Sequence, residues 1–352
     1  MRWFVPLLYP FSLLYDLGTR LRNRMFDVGL KKSIEFSIPT IVVGNLSMGG
    51  TGKTPFVELL IRLFSEKYQI CTLSRGYGRT TKGFILANKN ATASQIGDEP
   101  FQIYSKFGDK INVAVGEERI LAIPEIIAQK PETEVVILDD AFQHRYVKGD
   151  LNIMLTTYQK PFFEDKVVPL GTLREAKVGA RRAGVIIVTK CPSDMANDSK
   201  RRLSLEIKKN NPQVKVIFAG LKYGNPIDIG YSSKINFQNV ILVSGIADNS
   251  LFKKEVKKQY QVVKEFTFSD HHHYKINDVK KIVEFMKDWP DSVILTTEKD
   301  AVKLKAPIFR EYLEEIAIFA LPIEVNLSEE DLLWLEKSVS KVIKDKGYIR
   351  EI

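Results

Sequence analysis

The residues best placed to do chemistry lie in "IVVGNLSMGGTGKTPFVELLIRLF", residues 41 to 64. An apolar β-branched run leads through a glycine-rich turn into an amphipathic stretch. Strand, turn and helix start together make an anion site, because unpaired N–H groups and the helix dipole point at one spot. Gly49, Gly50 and Gly52, with Thr51 between them, let the backbone curl close to phosphate oxygens. Lys53 would reach the β- and γ-phosphates and the Thr54 hydroxyl would take a Mg²⁺ position. Ser47 stands where the usual G-x-x-x-x-G-K-[ST] pattern has its first glycine. A tight turn followed by an incidental lysine is the alternative. A second element, "EVVILDDAFQH" (134 to 144), is an apolar run ending in Asp139 and Asp140. Two carboxylates at the C-terminal end of a strand lie at the sheet edge where open α/β folds bind ligands, suited to Mg²⁺ beside a phosphate loop. An acidic strand end could instead cap the next helix.

The elements that must position these groups follow from periodicity. Short apolar runs recur at 40 to 45, 69 to 78, 113 to 116, 134 to 144, 151 to 157 and 184 to 190, with helical periodicity between several of them. Strands alternating with helices predict an α/β fold with a mostly parallel sheet covered on both faces. A polar stretch at 193 to 213 precedes a second series at 215 to 221, 239 to 249, 264 to 274 and 292 to 304. The expected organisation is a segment 1–30, a core domain 31–215, a smaller α/β domain 216–325 and a C-terminal helix in 326–352. Leu332, Leu335, Val339 and Val342 form that helix's inward face.

With 352 residues, 44% hydrophobic and 27% charged, the chain has room for a sizeable core and is neither disordered nor a polytopic membrane protein. Its net charge of +9 points to an anionic partner without choosing among nucleic acid, acidic lipid and polyphosphate. Cys71 and Cys191 are far apart and outside any metal-ligand spacing, which argues against a disulfide framework or a zinc site. The N-terminus, "MRWFVPLLYPFSLLYDL", carries Trp3, Tyr9 and Tyr15 and is followed by Arg20, Arg22 and Arg24. It lacks a small-residue cleavage site after the apolar run, and Pro6 and Pro10 interrupt a run too short to span a bilayer. An interfacial anchor fits, with apolar side chains in the lipid boundary and arginines on acidic head groups. A terminal helix packed on its own domain is the alternative.

Taken in order, "GNLSMGGTGKTP", "LSRGYGR" (73 to 79), "GDEP" (97 to 100), "ILDDAFQH" (137 to 144), "PLGTLRE" (169 to 175), "VTK" (188 to 190), "SDHHHY" (269 to 274) and "LTTEKDAVK" (295 to 303) resemble the tetraacyldisaccharide 4′-kinase family. The resemblance runs from the N-terminus to about residue 304 and includes the altered first position of the phosphate loop. It implies a P-loop NTPase-type kinase core, a second domain joined by a hinge, and a monotopic N-terminal helix on the cytoplasmic face of the bacterial inner membrane. It implies ATP and Mg²⁺ as co-substrates and a lipid A precursor, a glucosamine disaccharide, as acceptor. No nucleic acid and no obligate protein partner are implied.

By the same resemblance, Lys53 and Thr54 are phosphate and metal ligands, Asp139 and Asp140 the strand-end acids, and Glu175 a further acid at the metal. Asp98 matches a catalytic base, His271 a histidine that assists it, and Arg174 a basic residue near the transferred phosphate. From the residues alone, Asp98 before Glu99 and Pro100 reads equally as a helix start, and His271, His272 and His273 as a solvated turn. Ala176 departs from the proline the family often has after its "LRE". Guanine readout is poorly supported: "TKCPSD" places its aspartate too late for [NT]-K-x-D, and "TTEKD" has glutamate where lysine should follow threonine.

Overall fold

The computed structural model describes residues 5–230 and 237–347, with side chains from residue 7 onward, so Trp3 and the extreme C-terminus lie outside the described residues. The first unit is built on eight strands: β1 (Thr40–Asn45), β2 (Ile70–Ser74), β3 (Ile85–Leu86), β4 (Asn112–Val115), β5 (Val135–Asp139), β6 (Leu151–Thr157), β7 (Val185–Thr189) and β8 (Lys215–Phe218). They lie in the order β3-β4-β2-β5-β1-β6-β7-β8, all parallel except the short edge strand β3. β1 sits between β5 and β6, with Val43 opposite both Asp139 and Ile153. The chain crosses from one side of β1 to the other between β5 and β6, so the crevice at the C-terminal ends of β1 and β5 is the expected binding edge.

The helices are α1 (Val5–Asp27), α2 (Lys53–Phe64), α3 (Ala93–Ile96), α4 (Asp98–Phe107), α5 (Arg119–Gln129), α6 (Asn197–Asn210), α7 (Ser250–Val256), α8 (Ile276–Lys287), α9 (Glu298–Leu304), α10 (Arg310–Leu313) and α11 (Glu329–Asp345). One face of the sheet packs on α2, α4 and α11 through Phe56, Leu60, Ile103, Leu335 and Val339. The other packs on α5 through Ile123 and Ile126. The C-terminal helix is thus part of the first unit's core rather than an appendage, and Ser328 caps it by accepting the Asp331 N–H at 3.2 Å.

The second unit carries β10 (Ile227–Asp228), β11 (Asn239–Ser244), β12 (Gln261–Thr267), β13 (Val293–Thr297) and β14 (Ile318–Leu321) in the order β10-β14-β13-β11-β12. Two strands join the units: β9 (Gly220–Tyr223) on the way out and β15 (Ile323–Asn326) on the way back. They pair antiparallel with each other, Ile323 opposite Tyr223 and Asn326 opposite Gly220. This corrects one expectation. The run at 215 to 221 does not begin the second unit, because β8 pairs with β7 and closes the first sheet's edge, with only β9 leading away. Nor is 292 to 304 one strand: β13 stops at Thr297, whose hydroxyl accepts the Asp300 N–H at 3.1 Å and starts α9.

α1 continues through Pro10, which near a helix start removes only one intrahelical bond. Among the described residues no helix is long and apolar enough to cross a membrane. Its C-terminal half docks on the core: Phe26 is buried against Tyr146 at 5.0 Å between ring centroids, and Arg145 donates to the Asn23 carbonyl at 2.8 Å. Along its outer face Leu7, Leu8, Phe11, Leu14, Leu17 and Leu21 are exposed. The three arginines do not act alike. Arg20 pairs with Asp16 at 2.8 Å, Arg22 turns inward to the Gln143 carbonyl at 3.0 Å, and Arg24 is exposed.

Candidate active site

A cleft of about 910 Å³ opens between the units, lined by the turn after β1, the ends of β2, β5 and β7, and the second unit's 246–248 and 270–271 loops. The turn is built for phosphate. Gly52, with φ of 82°, is the N-cap of α2, a left-handed conformation that a side chain would strain. The first N–H groups of the helix, with no intrahelical partner, are left for a ligand. Thr51 is locked from below: its hydroxyl accepts from Asn45 at 2.8 Å and its carbonyl accepts from the Thr189 hydroxyl at 2.8 Å. Ser47 is extended rather than curled, and pairs as a single antiparallel bridge with Leu173. Flanking bonds from Met48 N to Thr172 O and from Arg174 N to Leu46 O, both 2.7 Å, continue that pairing. A serine suffices there because the position is strand-like.

The same pairing places Arg174. Its guanidinium binds both Asp140 oxygens, at 2.9 and 3.1 Å, and Lys53 approaches the same carboxylate at 3.6 Å. Asp140 itself sits at a φ of 48°, a region that aspartate tolerates better than most residues. The turn beyond it packs on Gly44, where an added Cβ would meet the Phe142 Cβ at 2.7 Å. The two strand-end acids diverge in charge. Burial would raise Asp140, but Lys53 and Arg174 outweigh it and hold the carboxyl below its usual range. Burial, with the charges of Glu99 and Asp140, pushes Asp139 up to about 7. Its Oδ1 is buried without a partner. An unpartnered buried carboxylate oxygen at a strand end suits a cation. Among the described residues, no cluster of three His, Cys, Asp or Glu could hold a metal alone. Such a donor set fits Mg²⁺, which takes one or two carboxylates and completes its shell with water and phosphate.

Across the cleft, Asp98 is the first residue of α4, after Gly97 as N-cap. Its side chain does not cap the helix. The Oδ2 atom lies 3.3 Å from Lys303 Nζ and 3.9 Å from His271 Nδ1, both from the second unit. Burial opposes ionisation of Asp98, yet His271 and Lys303 prevail and lower it. Lys299 and Lys303, one turn apart on α9, present a pair of ammonium groups to consecutive acids. Lys299 meets Glu99 at 3.1 Å, Asp270 at 3.4 Å and His271 Nε2 at 3.1 Å. An ammonium can only donate, so Nε2 accepts, and the proton of a neutral ring sits on Nδ1 facing Asp98. His271 reaches this place through a φ of 56°. His272 instead binds Asp278 at 3.0 Å and stacks on Phe268 at 4.5 Å. Of the three consecutive histidines, only His271 lines the cleft.

Gly49 to Thr54, Asp139, Asp140, Arg174 and His271 therefore line one cleft, with Asp98 directly behind His271. Glu175 does not join them. Its buried carboxylate is held by Arg182 at 2.7 and 3.0 Å, by Asn23 at 2.6 Å and by Gln143 at 3.1 Å. Sequence reasoning gave no role to Glu99, Lys299, Lys303 or Arg119. The available signal was the i, i+4 lysine spacing in "EKDAVK", which is visible only once the segment is known to be helical.

Comparison with known proteins supplies an independent line. A family model described as tetraacyldisaccharide-1-P 4′-kinase matches residues 4–340. A tetraacyldisaccharide 4′-kinase of Bacteroides thetaiotaomicron is 39% identical over 98% of this chain and 93% of its own. One of Bacteroides fragilis is 42% identical over the same shares. The crystal structure of LpxK from Aquifex aeolicus in complex with ATP superposes with a TM-score of 0.73 at 28% identity, covering 97% of this chain and 99% of that one.

The surroundings of Glu175 make a test of its place. Glu175→Ala would leave Arg182 facing a buried gap. The loss in stability should approach the roughly 3–5 kcal/mol of a broken buried pair, less because Arg182 is partly exposed. Urea unfolding in the absence of any metal should show the loss. An unchanged midpoint would return Glu175 to a role at the cation.

Proposed function

The chain belongs to the tetraacyldisaccharide 4′-kinase family: it is an ATP-dependent kinase that phosphorylates the 4′-hydroxyl of the tetraacylated disaccharide precursor of lipid A, and we propose the following division of labour among its residues. Gly49 to Thr54 cradle the triphosphate through their backbone N–H groups, with Lys53 on the β- and γ-phosphates. Arg174 and Lys53, held together by Asp140, supply positive charge where the transferred phosphoryl group carries its negative charge. Thr54 and Asp139 would hold Mg²⁺, which when bound neutralises charge on the β- and γ-phosphate oxygens. Asp140 would act through its arginine and lysine. Glu175 would steady the loop that carries Arg174.

Asp98 is the base that accepts the proton of the 4′-hydroxyl. A sugar hydroxyl is a weak nucleophile, and a positioned carboxylate is the usual remedy in kinases. Burial opposes ionisation of Asp98, and His271 and Lys303 outweigh burial and lower its pKa. His271, with its Nδ1–H turned to Asp98, steadies the carboxylate, and Lys299 fixes the ring from behind. Because base and histidine come from different units, the site is complete only when the units close, which also excludes water as a competing acceptor. The observation that carries this reading is the Asp98–His271–Lys303 contact between the two units, behind the cleft wall that His271 forms.

The exposed apolar face of α1 supports attachment to a membrane surface, which we assign to the cytoplasmic face of the inner membrane. The cleft reaches Tyr15, Thr19 and Arg22 of α1. That geometry lets acyl chains stay in the lipid boundary while the sugars enter the cleft.

Two experiments test these assignments. Purified protein with γ-labelled ATP, Mg²⁺ and the lipid disaccharide should label the lipid. Asp98→Ala and His271→Ala should each lower kcat about a hundredfold, and the double variant should be little worse than the poorer single one. Multiplicative losses would mean that the two act independently. For attachment, Phe11→Glu, Leu14→Glu and Leu17→Glu together leave the docked half of α1 intact. They should abolish co-sedimentation with anionic vesicles, and unchanged pelleting would place the anchor elsewhere.

A further inference from the structure

α4 and α9 meet a second time, in the last turn of α4. Lys106 lies about 12 Å beyond Asp98 along the helix axis, at roughly 1.5 Å per residue. Its ammonium donates to Glu58 Oε2 at 2.6 Å and to Glu298 Oε1 at 2.7 Å. Glu58 belongs to α2, the helix that begins at the phosphate loop, and Glu298 is the first residue of α9. One cation thus stands between an acid of the first unit and an acid of the second.

Both acids are held in place from behind. The Glu58 side chain is 1% exposed and that of Glu298 11%. Glu58 Oε1 accepts from Gln102 Nε2 at 2.9 Å, which fixes α4 to α2. Glu298 Oε2 accepts the Ile323 N–H at 3.2 Å, which ties the start of α9 to β15. The next cation, Arg62, is 3.5 Å from Glu58 and is shared with Glu324 of β15 at 3.8 Å. Burial raises the pKa of Glu58, the charge of Glu298 adds to that, and Lys106 opposes both. Without Lys106 the start of α9 would therefore meet acid with acid.

The bridge matters for what α9 carries. Lys299 holds His271 Nε2 at 3.1 Å, and Lys303 lies 3.3 Å from Asp98. There the first unit supplies the acids and the second the lysines, whereas at Lys106 the roles are reversed. A helix held at one end can swing, and ion pairs at both ends fix its angle. A displacement of about 1 Å at reacting groups is enough to cost a large factor in rate.

We propose that Lys106 is a positioning residue for the phosphoryl transfer: by bridging Glu58 and Glu298 it fixes the angle at which α9 meets α4, and with it the place of His271 against Asp98. The inference rests on the kinase reading and adds a residue that acts through the boundary between the units. Glu58 and Lys106 do not line the cleft, and Glu298 reaches its wall.

The test is a reciprocal rescue. Lys106→Met removes the bridge, and Glu298→Lys sets two ammonium groups against each other while leaving the Glu58–Lys106 pair of the first unit intact. Each should lower kcat about tenfold or more and speed amide hydrogen exchange across 298–304. In the double variant the introduced ammonium can take Glu58 directly, so both kcat and slow exchange should largely return. A purely structural role for Lys106 within the first unit predicts no return, because the double variant still lacks that side chain. Damage by the new charge to the cleft wall would persist in the double variant as well. A double variant as impaired as the poorer single one overturns the proposal. So does parental activity and exchange in Glu298→Lys, a result that stands even if Lys106→Met does not fold. If the parent labels no lipid, the kinase reading fails, and the exchange comparison decides by itself whether Lys106 holds the units together.

Discussion

The proposed acceptor half of the site depends on an ionic contact between two helices. α4 of the first unit begins with Asp98 and Glu99, and α9 of the second presents Lys299 and Lys303 one turn apart. Each acid faces its own lysine, at 3.3 and 3.1 Å. One side of this contact is the proposed base and the other is the unit that brings His271. Lys303 is itself braced by Asp300, fully buried, at 3.5 Å. Asp300 accepts the Gly245 N–H at 2.8 Å and so ties the lysine to the second unit's sheet. A further bridge, Lys106 between Glu58 and Glu298, crosses the same helix pair away from the chemistry. Among the described residues, the chain leaves the first unit through β9 and returns through β15, and these two strands pair with each other.

The nucleotide half relies on a different device. Two adjacent carboxylates at one strand end are driven apart in charge by their neighbours. Asp140, with two cations, is held below its usual range, while burial raises Asp139, whose Oδ1 has no partner. The same backbone pairing that straightens Ser47 delivers Arg174 to Asp140. The altered phosphate-loop spelling and the position of the arginine thus have one cause.

The phosphate loop, the strand-end acids and the parallel sheet were legible in the sequence because each is local: a β run, a glycine turn, a helix start. β6 falls at 151 to 157 as its apolar run suggests. What was not legible is what depends on pairing across the chain. Lys215–Phe218 has the pattern of any buried strand, and only the β7 ladder says which sheet it closes. Glu175 has the charge of a metal ligand, but Arg182, Asn23 and Gln143 converge on it from three segments. Arg20 and Arg22 differ by two positions and face opposite ways, one to Asp16 and one into the cleft. The residues alone left the choice among three histidines open and the family resemblance pointed to His271, the one of the three that lines the cleft, at a left-handed turn.

The central claim is that the second unit sets the charge of a base carried by the first. Asp98 must be ionised to take a proton. Burial alone would raise its pKa, and Lys303 with His271 lowers it. Removing the lysine therefore leaves burial less opposed, so the carboxyl protonates at higher pH and activity fails sooner on acidification. The decisive measurement is the pH dependence of kcat for the parent and Lys303→Met at saturating ATP and acceptor. The account predicts an acid limb at clearly higher pH in the variant, with much of the activity recovered at alkaline pH. An acid limb at the same pH in both, whatever the loss of rate, would contradict it.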